Sequence, residues 1–235
     1  MATKRAHTQA ELQVGSIDAN FSLKNKIYVS LKKAITSMNI YADDAELRLD
    51  ERRLSEQLNI SRTPVREALA RLEQEGLVEI IARRGVYIVR KSKAEILEMI
   101  TVWADLEGMA ARLITYNATD QQIFDLREML RTSKGDETVA HIDEYSERNI
   151  QFHQVILKIS GCGLLRELAD NLFVHVRSIR ARTIGEHNRA NRSIIDHTKI
   201  VEAFEKRDPE LAERLVREHT LNLALHVEKY VDYLD

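Results

Sequence analysis

Four side chains suited to contacts with nucleic acid lie within six residues of one another, at Ser61, Arg62, Thr63 and Arg66. An arginine at the start of a helix can pair with both O6 and N7 of guanine, and a hydroxyl can bond a base or a phosphate. Because Arg62 and Arg66 are four residues apart, both project from the same face of a helix. The spacing therefore predicts a helix that reads the major groove of DNA.

Two exposed arginines are also typical of an ordinary solvated helix, so the surrounding residues decide between the two interpretations. Asn59 and Ile60 make a turn before this helix, and Pro64 lies in its first turn, where the missing N–H costs nothing. Gly76 ends the helix as a C-terminal cap. The buried stripe lies on another face and consists of Val65, Leu69 and Leu72. Together these features favour a helix-turn-helix.

A second set of side chains could hold a metal ion. Asn149 and His153 are four residues apart and face the same way on one helix, while His197 and His219 lie on two later helices. Imidazole nitrogen suits Zn, Ni, Mn or Fe. Each histidine by itself is more typical of a surface or core residue, and the sequence does not show that the three helices converge. A divalent metal site in a helical bundle is one interpretation of this set.

Hydrophobic spacing predicts the elements that carry these residues. Apolar residues at intervals of three and four predict a helix over 23–38, and Asp50 can cap a second over 51–58. Strands over 78–81 and 86–89, joined by the turn 82–85, form a hairpin. Beyond residue 91 the strand signal ends. Six further helices are predicted there, over 93–117, 120–134, 137–160, 164–184, 191–206 and 209–233.

The fold class expected is mainly α: a winged helix-turn-helix followed by an all-α bundle of about six helices. We expect a mobile tail over 1–20, a DNA-binding domain over 21–91 and an all-helical domain for effector binding and dimerisation over 92–235. Residues 1–91 contain 16 Lys and Arg against 12 Asp and Glu, a net charge of +4, and the remainder carries −6. This asymmetry favours contact of the first domain alone with a polyanion.

Composition restricts the class of protein further. Of 235 residues 44% are hydrophobic and 31% charged, which is typical of a globular chain and not of a disordered one. A single cysteine, Cys162, excludes an internal disulfide and fits a reducing compartment. No apolar run approaches the ~20 residues of a membrane span, and the N-terminus has no signal-peptide pattern. We expect a cytoplasmic protein with no membrane partner.

Residues 54–69 (LSEQLNISRTPVREAL) and 71–78 (RLEQEGLV) closely resemble the GntR family of bacterial transcription regulators. The resemblance implies that Arg52, Arg62 and Arg66 contact the operator, with Ser61 and Thr63 as hydroxyl partners. It also implies a wing tip in the minor groove, at Arg84 and Gly85. The chain departs from the family pattern over 42–45 (ADDA), where a Pro-Gly turn is usual.

The rear of the chain resembles the FadR subfamily and its all-helical FCD domain, on residues 106–113 (LEGMAARL), 149–153 (NIQFH), 196–197 (DH) and 218–219 (EH). The resemblance implies a divalent metal held by Asn149, His153, His197 and His219. Asn149 stands where Asp is commoner, so one negative charge is missing. This change weakens the site or favours a softer, histidine-tolerant metal.

The resemblance also implies a small-molecule effector, with an organic acid as the expected class. Trp103 stands where the family usually has an arginine for the ligand carboxylate, and a buried Trp prefers an apolar or aromatic neighbour. Arg148, Arg177 and Arg180 are the other candidates for effector contacts, as an anion clamp.

We therefore expect a homodimeric regulator, of the repressor type, that binds a palindromic operator and responds to an effector held at or near the metal. In one alternative the metal itself is the signal. In an alternative of another class the histidines activate a water in a metalloenzyme. No His-Glu-x-x-His run, Ser-His-Asp motif or phosphate loop supports an enzyme, and the basic first domain would be unexplained.

Overall fold

The computed structural model describes residues 21–42, 44–131 and 142–234; the tail predicted over 1–20 lies outside them. The first part of the chain folds as a helical domain with a small sheet. Its elements in chain order are α1 (Phe21–Ser37), β1 (Arg48–Leu49), α2 (Glu51–Leu58), α3 (Arg62–Gln74), β2 (Val78–Ile81) and β3 (Gly85–Ile88).

The turn between α2 and α3 follows from its residues. Asp50 caps α2 through its side chain, which accepts a hydrogen bond from the Arg53 amide at 2.9 Å. Asn59 ends the helix in the left-handed region, with φ of 51°, a conformation that Asn tolerates better than most residues. α3 then buries its predicted stripe, Val65, Leu69 and Leu72, against the core. The helix-turn-helix geometry is thus set by local capping and by one apolar face.

The three strands form an antiparallel sheet in the order β1-β3-β2. The predicted hairpin is present, but its turn is shorter than expected. Gly85 pairs with Ile81 and opens β3, so only 82–84 lie in the turn, and Val89 lies outside the strand. β1 was not predicted, because two residues are too few to show the alternation that marks a strand.

All six helices predicted for the second domain are present. They are α4 (Lys93–Asn117), α5 (Asp120–Arg131), α6 (Ile142–Ile159), α7 (Gly163–Thr183), α8 (Arg189–Glu205) and α9 (Pro209–Tyr230). A short 3-10 turn, Glu186–Asn188, joins α7 to α8. The predicted ends of the second and third of these helices, within 132–141, lie outside the described residues. The fold class, mainly α with a winged helix-turn-helix, is confirmed.

The long helices α4 and α9 pack against each other through the middle of the bundle, and both bury apolar stripes. Ser92 and Glu95 form a reciprocal capping box at the start of α4. Asp208 caps α9, and Pro209 occupies its first position. None of the helices in the described part of the chain is long and apolar enough to cross a membrane.

The segment that joins the two domains is tied to the first of them at several points. The Arg90 guanidinium donates hydrogen bonds to the carbonyls of Ile40 and Ala42, both at 2.7 Å. The next amide, of Lys91, donates to the Tyr41 hydroxyl at 3.3 Å. The connection into α4 is therefore short and held along its length.

Candidate functional sites

The face of α3 that was predicted to read DNA is open to solvent. Ser61, Arg62, Thr63 and Arg66 are all exposed. Ser61 is the N-cap of α3 but makes no side-chain capping bond, which leaves its hydroxyl available for a phosphate or a base. Among the described residues, no hydrogen bond or ion pair engages the Arg62 side chain.

Two other arginines near this face are held by carboxylates. Arg66 Nε lies 2.6 Å from Glu51 Oε2, and Arg52 Nε lies 2.9 Å from Glu56 Oε1. Both arginines are more than half exposed, so these pairs contribute little to stability. Each pair holds the Nε side of the guanidinium toward a carboxylate.

The hairpin presents Arg84 at its exposed tip. The Tyr87 hydroxyl donates a hydrogen bond to the Arg84 carbonyl at 3.2 Å, which braces the turn. Gly85 has φ of 120°, a conformation that favours glycine, and its α-carbon faces the Arg48 side chain. Arg48 was not singled out from the sequence, since its position beside the wing depends on the unpredicted strand β1.

Three histidines from three helices converge in the second domain: His153 on α6, His197 on α8 and His219 on α9. One ring nitrogen from each lies within 4.8 Å of the others, and all three side chains are buried. The Nε2 atoms of His197 and His219 are 3.2 Å apart. We call this group the histidine cluster.

Two carboxylates orient the cluster by contacting the Nδ1 atoms of two of its histidines. Glu107 Oε1 lies 2.6 Å from His153 Nδ1, and Asp196 Oδ2 lies 3.2 Å from His219 Nδ1. A carboxylate on Nδ1 places the proton there and leaves the lone pair on Nε2. That is the usual arrangement around histidines that bind metals.

Arg180, on α7, is buried inside the same cluster. Its Nη1 donates to His153 Nε2 at 2.8 Å, and its Nη2 donates to Thr220 Oγ1 at 3.1 Å. The Thr220 hydroxyl in turn donates to Glu107 Oε2 at 2.6 Å, and the guanidinium lies 3.6 Å from the same oxygen. A buried cation and a buried carboxylate therefore compensate each other through one closed network.

Burial sets the protonation of these groups. It lowers the pKa of His153 and His197 well below the usual value, and the Arg180 charge adds to the effect at both. The pKa of His219 is also lowered by burial, although Asp196 opposes the shift. Burial raises the pKa of Glu107, against the attraction of Arg180. The imidazoles are thus held in the neutral form, which is the form that ligates metals.

The fourth predicted metal ligand, Asn149, lies at the edge of the cluster. Its Nδ2 donates to Ser193 Oγ at 2.6 Å, and that hydroxyl is 3.4 Å from His197 Nε2. The three imidazoles and their carboxylate partners fit a divalent metal, whereas the Asn149 amide nitrogen is turned to Ser193, so its role as a fourth ligand stays a prediction. Among the described residues, Arg180 opposes a metal there, since it occupies the Nε2 lone pair of His153 and carries positive charge.

The four predicted effector residues take different positions, and only Arg180 hydrogen-bonds a cluster histidine. Trp103 is fully buried and stacks on Phe173, with ring centroids 5.5 Å apart. Arg177 turns away from the cluster, to the Thr36 carbonyl and the Glu147 carboxylate. Arg148 is partly exposed and lines a small cavity with Asn149 and His197.

Sequence reasoning missed Glu107 and Thr220, although Glu107 leaves a signal in the hydrophobic pattern. Glu107 falls on the buried stripe of α4 that includes Ile100, Trp103 and Ala111. A charged residue on such a stripe is rarely buried without a partner. That signal identifies a buried polar contact, but not its partners on α6, α7 and α9.

A cavity of about 500 Å³ opens between α8 and α9, with His219 in its wall. Three cationic side chains line it, Arg189, Arg192 and Lys229, against the carboxylate of Asp196. Its other polar lining residues include Ser193 and Asn222. Its excess of positive charge suits an acidic ligand of small-metabolite size.

Comparison with known proteins assigns both domains. The profile described as "Bacterial regulatory proteins, gntR family" matches residues 23–88, and that of the FCD domain matches residues 98–222, more than half of the chain. The two matches lie on either side of the junction at residue 91.

Curated relatives and solved structures agree with this assignment. The chain is 27% identical to the HTH-type transcriptional repressor RspR of Escherichia coli, over 77% of this chain and 79% of that protein. It is 27% identical to the Uxu operon regulator of Haemophilus influenzae, over 91% and 86% respectively. The structure of E. coli McbR/YncC has the same fold, with a TM-score of 0.69 at 23% identity, covering 89% of this chain and 99% of that one.

The curated relatives are transcription regulators and not enzymes, as the sequence predicted for this chain, and the metalloenzyme alternative is set aside on that ground. The α3 face, the wing and the helical second domain fit the same assignment. The chain is a DNA-binding transcription regulator, and it belongs to the gntR family of bacterial regulatory proteins, in the FadR-like branch that carries an FCD domain.

Proposed function

We propose that the protein is a homodimeric repressor whose operator is released when an organic acid binds in the second domain beside a metal at the histidine cluster. The observation that carries the proposal is the position of α7. One side of this helix places Arg180 in the cluster, while other residues of the same helix contact the DNA-binding domain.

For DNA recognition, α3 lies in the major groove and its exposed N-terminal residues contact base edges. Arg62 and Arg66 pair with guanine, and Ser61 and Thr63 bond phosphates or bases. Arg52 contacts the backbone, and Arg84 at the wing tip enters the minor groove, with Gly85 allowing close approach. Two such heads in a dimer match the half-sites of a palindrome.

For the effector, the cationic cavity between α8 and α9 attracts an acid, and His219 connects this cavity to the cluster. A divalent ion would be held by His153, His197 and His219, and it would supply positive charge that attracts a carboxylate. The chain's own residues do the rest: Arg189, Arg192 and Lys229 neutralise negative charge. Arg180 offers a second anchor, because its guanidinium can release its hydrogen bond to His153 and donate to the carboxylate of the ligand instead.

The signal reaches the DNA-binding domain through α7. Arg177 and Arg182 on this helix donate hydrogen bonds to the backbone carbonyls of Thr36 and Tyr41. His175 Nδ1 lies 2.8 Å from the Tyr41 hydroxyl. A shift of Arg180 toward a ligand therefore moves groups that hold the end of α1 and the loop after it. For such coupling the effector must bind more tightly to the state that releases DNA.

The test is operator binding by the full chain, measured by fluorescence anisotropy on a duplex selected from random DNA. We expect Ni²⁺ together with a hydroxy acid from a panel of lactate, malate and citrate to weaken binding at least tenfold. The acid without metal, after EDTA treatment, has a smaller effect. Operator affinity that stays unchanged with every acid, with and without metal, would contradict the proposal.

In a second candidate function the metal itself is the signal. It is supported by the position of Arg180, which would compete with a metal for His153 Nε2. In that case Ni²⁺ alone changes operator affinity and EDTA alone reverses the change, with no acid present. The same titration therefore distinguishes the two candidates.

A further inference from the structure

A second group of possible metal ligands lies outside the histidine cluster. It consists of Glu186 and His187, in the 3-10 turn between α7 and α8, and His226 on α9. One oxygen or nitrogen from each lies within 4.8 Å of the others. His226 follows His219 by seven residues, which places it on the same face of α9 about 10 Å further along the helix. The two groups are therefore separate sites.

His226 is a buried imidazole with an unmet polar atom. Its side chain is 3% exposed, and its Nε2 lies 2.7 Å from Glu186 Oε2. Its Nδ1 is buried and has no hydrogen-bond partner in the described residues. A hydrogen-bonded pair of Glu186 and His226 explains the contact at Nε2. It does not explain why His187 also lies close to both side chains.

His187 is brought there by an unusual backbone. His187 and Asn188 both lie in the left-handed region, with φ of 46° and 59°. Two such residues in succession are unfavourable for the backbone and persist only where the surroundings hold them. The His187 ring stacks on Tyr230 at a centroid distance of 3.9 Å, and Arg192 donates to the His187 carbonyl at 3.0 Å. These contacts fix the His187 imidazole 5.6 Å from that of His226, centroid to centroid.

We propose that Glu186, His187 and His226 form a second divalent transition-metal site, distinct from the histidine cluster. Two imidazole nitrogens and one carboxylate oxygen are a donor set for Zn, Ni, Co or Fe. A metal also explains why a strained turn aims a third side chain at an existing Glu-His pair. None of its three ligands belongs to the histidine cluster, so the site would bind metal without the proposed metal at that cluster.

The chain offers variants that remove ligands without disturbing the fold. His187→Asn keeps a residue that tolerates the left-handed backbone and replaces an exposed ring, so the turn is preserved. Glu186→Gln removes the carboxylate charge at nearly constant shape. Glu228→Gln, at an exposed position on α9, is the matched charge control.

The experiment is calorimetric titration of the chelator-stripped full chain with Ni²⁺, in the wild type and in a His197→Gln variant that weakens the first cluster. We expect one equivalent to remain in His197→Gln. His187→Asn and Glu186→Gln each lower its affinity at least tenfold, whereas Glu228→Gln does not. In the otherwise wild-type chain, His187→Asn weakens one Ni²⁺-binding event at least tenfold, which gives the same answer if His197→Gln fails to fold. Absence of any Ni²⁺ binding, or binding unaffected by His187→Asn and Glu186→Gln, overturns the proposal.

Discussion

Arg180 donates a hydrogen bond of 2.8 Å to Nε2 of His153, the same nitrogen that a metal in the histidine cluster would need. The other ring nitrogen of His153 is taken by Glu107 at 2.6 Å. Occupation of the cluster by a metal therefore requires Arg180 to move or its guanidinium to find another acceptor. A carboxylate is a suitable acceptor for the guanidinium. Metal binding and acid binding would therefore both depend on Arg180.

Replacement of Arg180 tests this competition. Arg180→Met removes the competing donor and the positive charge, so Ni²⁺ binds at least tenfold more tightly. It also leaves Glu107 buried without its cation, and breaking such a pair costs about 3–5 kcal/mol. The measurements are Ni²⁺ titration and chemical denaturation with and without the metal. Arg214→Met, at an exposed position on α9, is the control. A folded Arg180→Met protein with unchanged Ni²⁺ affinity would show that Arg180 and the metal do not compete.

The missing carboxylate at position 149 can be restored. Asn149→Asp places a negative charge beside His197, and a charged oxygen ligand binds a divalent ion more strongly than an amide oxygen does. We expect Ni²⁺ affinity to rise about 10- to 100-fold, the range over which single groups around a metal act. Competition with a chromophoric chelator measures it, and Asn171→Asp on the exposed side of α7 is the matched control. An equal rise in Ni²⁺ affinity in both variants would mean that the added negative charge acts non-specifically and that position 149 is not a ligand.

The proposed contacts of Arg62 and Arg66 with DNA can be tested separately. Arg62→Ala and Arg66→Ala each remove a contact worth about 1–3 kcal/mol if the arginine pairs with guanine. The double variant therefore loses at least about thirtyfold in operator affinity, and its binding depends less steeply on salt. Fluorescence anisotropy across 50–200 mM salt measures both quantities. Arg127→Ala, in the second domain, is expected to bind like the wild type. Unchanged affinity and salt dependence in the double variant would refute recognition by α3.

Contacts between α7 and the first domain can be weakened without touching either site. Tyr41→Phe removes the hydroxyl that meets His175 at 2.8 Å and the Lys91 amide at 3.3 Å. The loss costs roughly 1–3 kcal/mol, since it leaves buried polar groups unpaired. Operator affinity without effector is expected to persist while the response to Ni²⁺ and acid falls several-fold. A full response in Tyr41→Phe would place the coupling elsewhere.

The burial of His175 gives stability a dependence on pH. Burial lowers the pKa of His175 to about 4, with Lys91 adding to the shift and Glu95 opposing it. The unfolded chain binds this proton at pH values below about 6.5, while the folded protein does not, so stability falls as the pH drops from about 6.5 to 4. The loss attributable to His175 is about 3 kcal/mol at the lower end. Denaturation of the wild type and His175→Gln across this range measures it, and identical pH profiles would count against this assignment.

Much of the architecture was predictable because its signals are local. The cap at Asp50, the turn at Asn59 and the glycine that ends α3 each act within a few residues. The helical stripes of the second domain repeat over many turns and gave all six helices. The wing was predicted with its turn one residue too long, since the pairing of Gly85 with Ile81 depends on register between strands.

The sites were predictable only as residue types. His153, His197 and His219 could be named from their spacing and from the family resemblance, but their convergence depends on the packing of three helices. Glu107 and Thr220 belong to the cluster although they were not predicted. Their hydrogen-bond partners lie on other helices of the bundle, and sequence spacing does not show which helices meet. Arg177 was a plausible anion ligand from sequence, yet the packing of α7 against α1 turns it toward the Thr36 carbonyl.

The short connection between β3 and α4 has a consequence for the DNA that the proposed dimer would accept. Arg90 and Lys91 tie it to the first domain, and Arg177 and Arg182 of α7 tie the same domain to the bundle, so each head is held to its own bundle at two places. A dimer of such heads measures distance along the duplex. One base pair inserted between half-sites turns one of them by roughly 35° about the axis and shifts it by about 3.4 Å, at 10–10.5 base pairs per turn. In the proposed dimer, this arrangement would select operators by the spacing of their half-sites as well as by their base sequence.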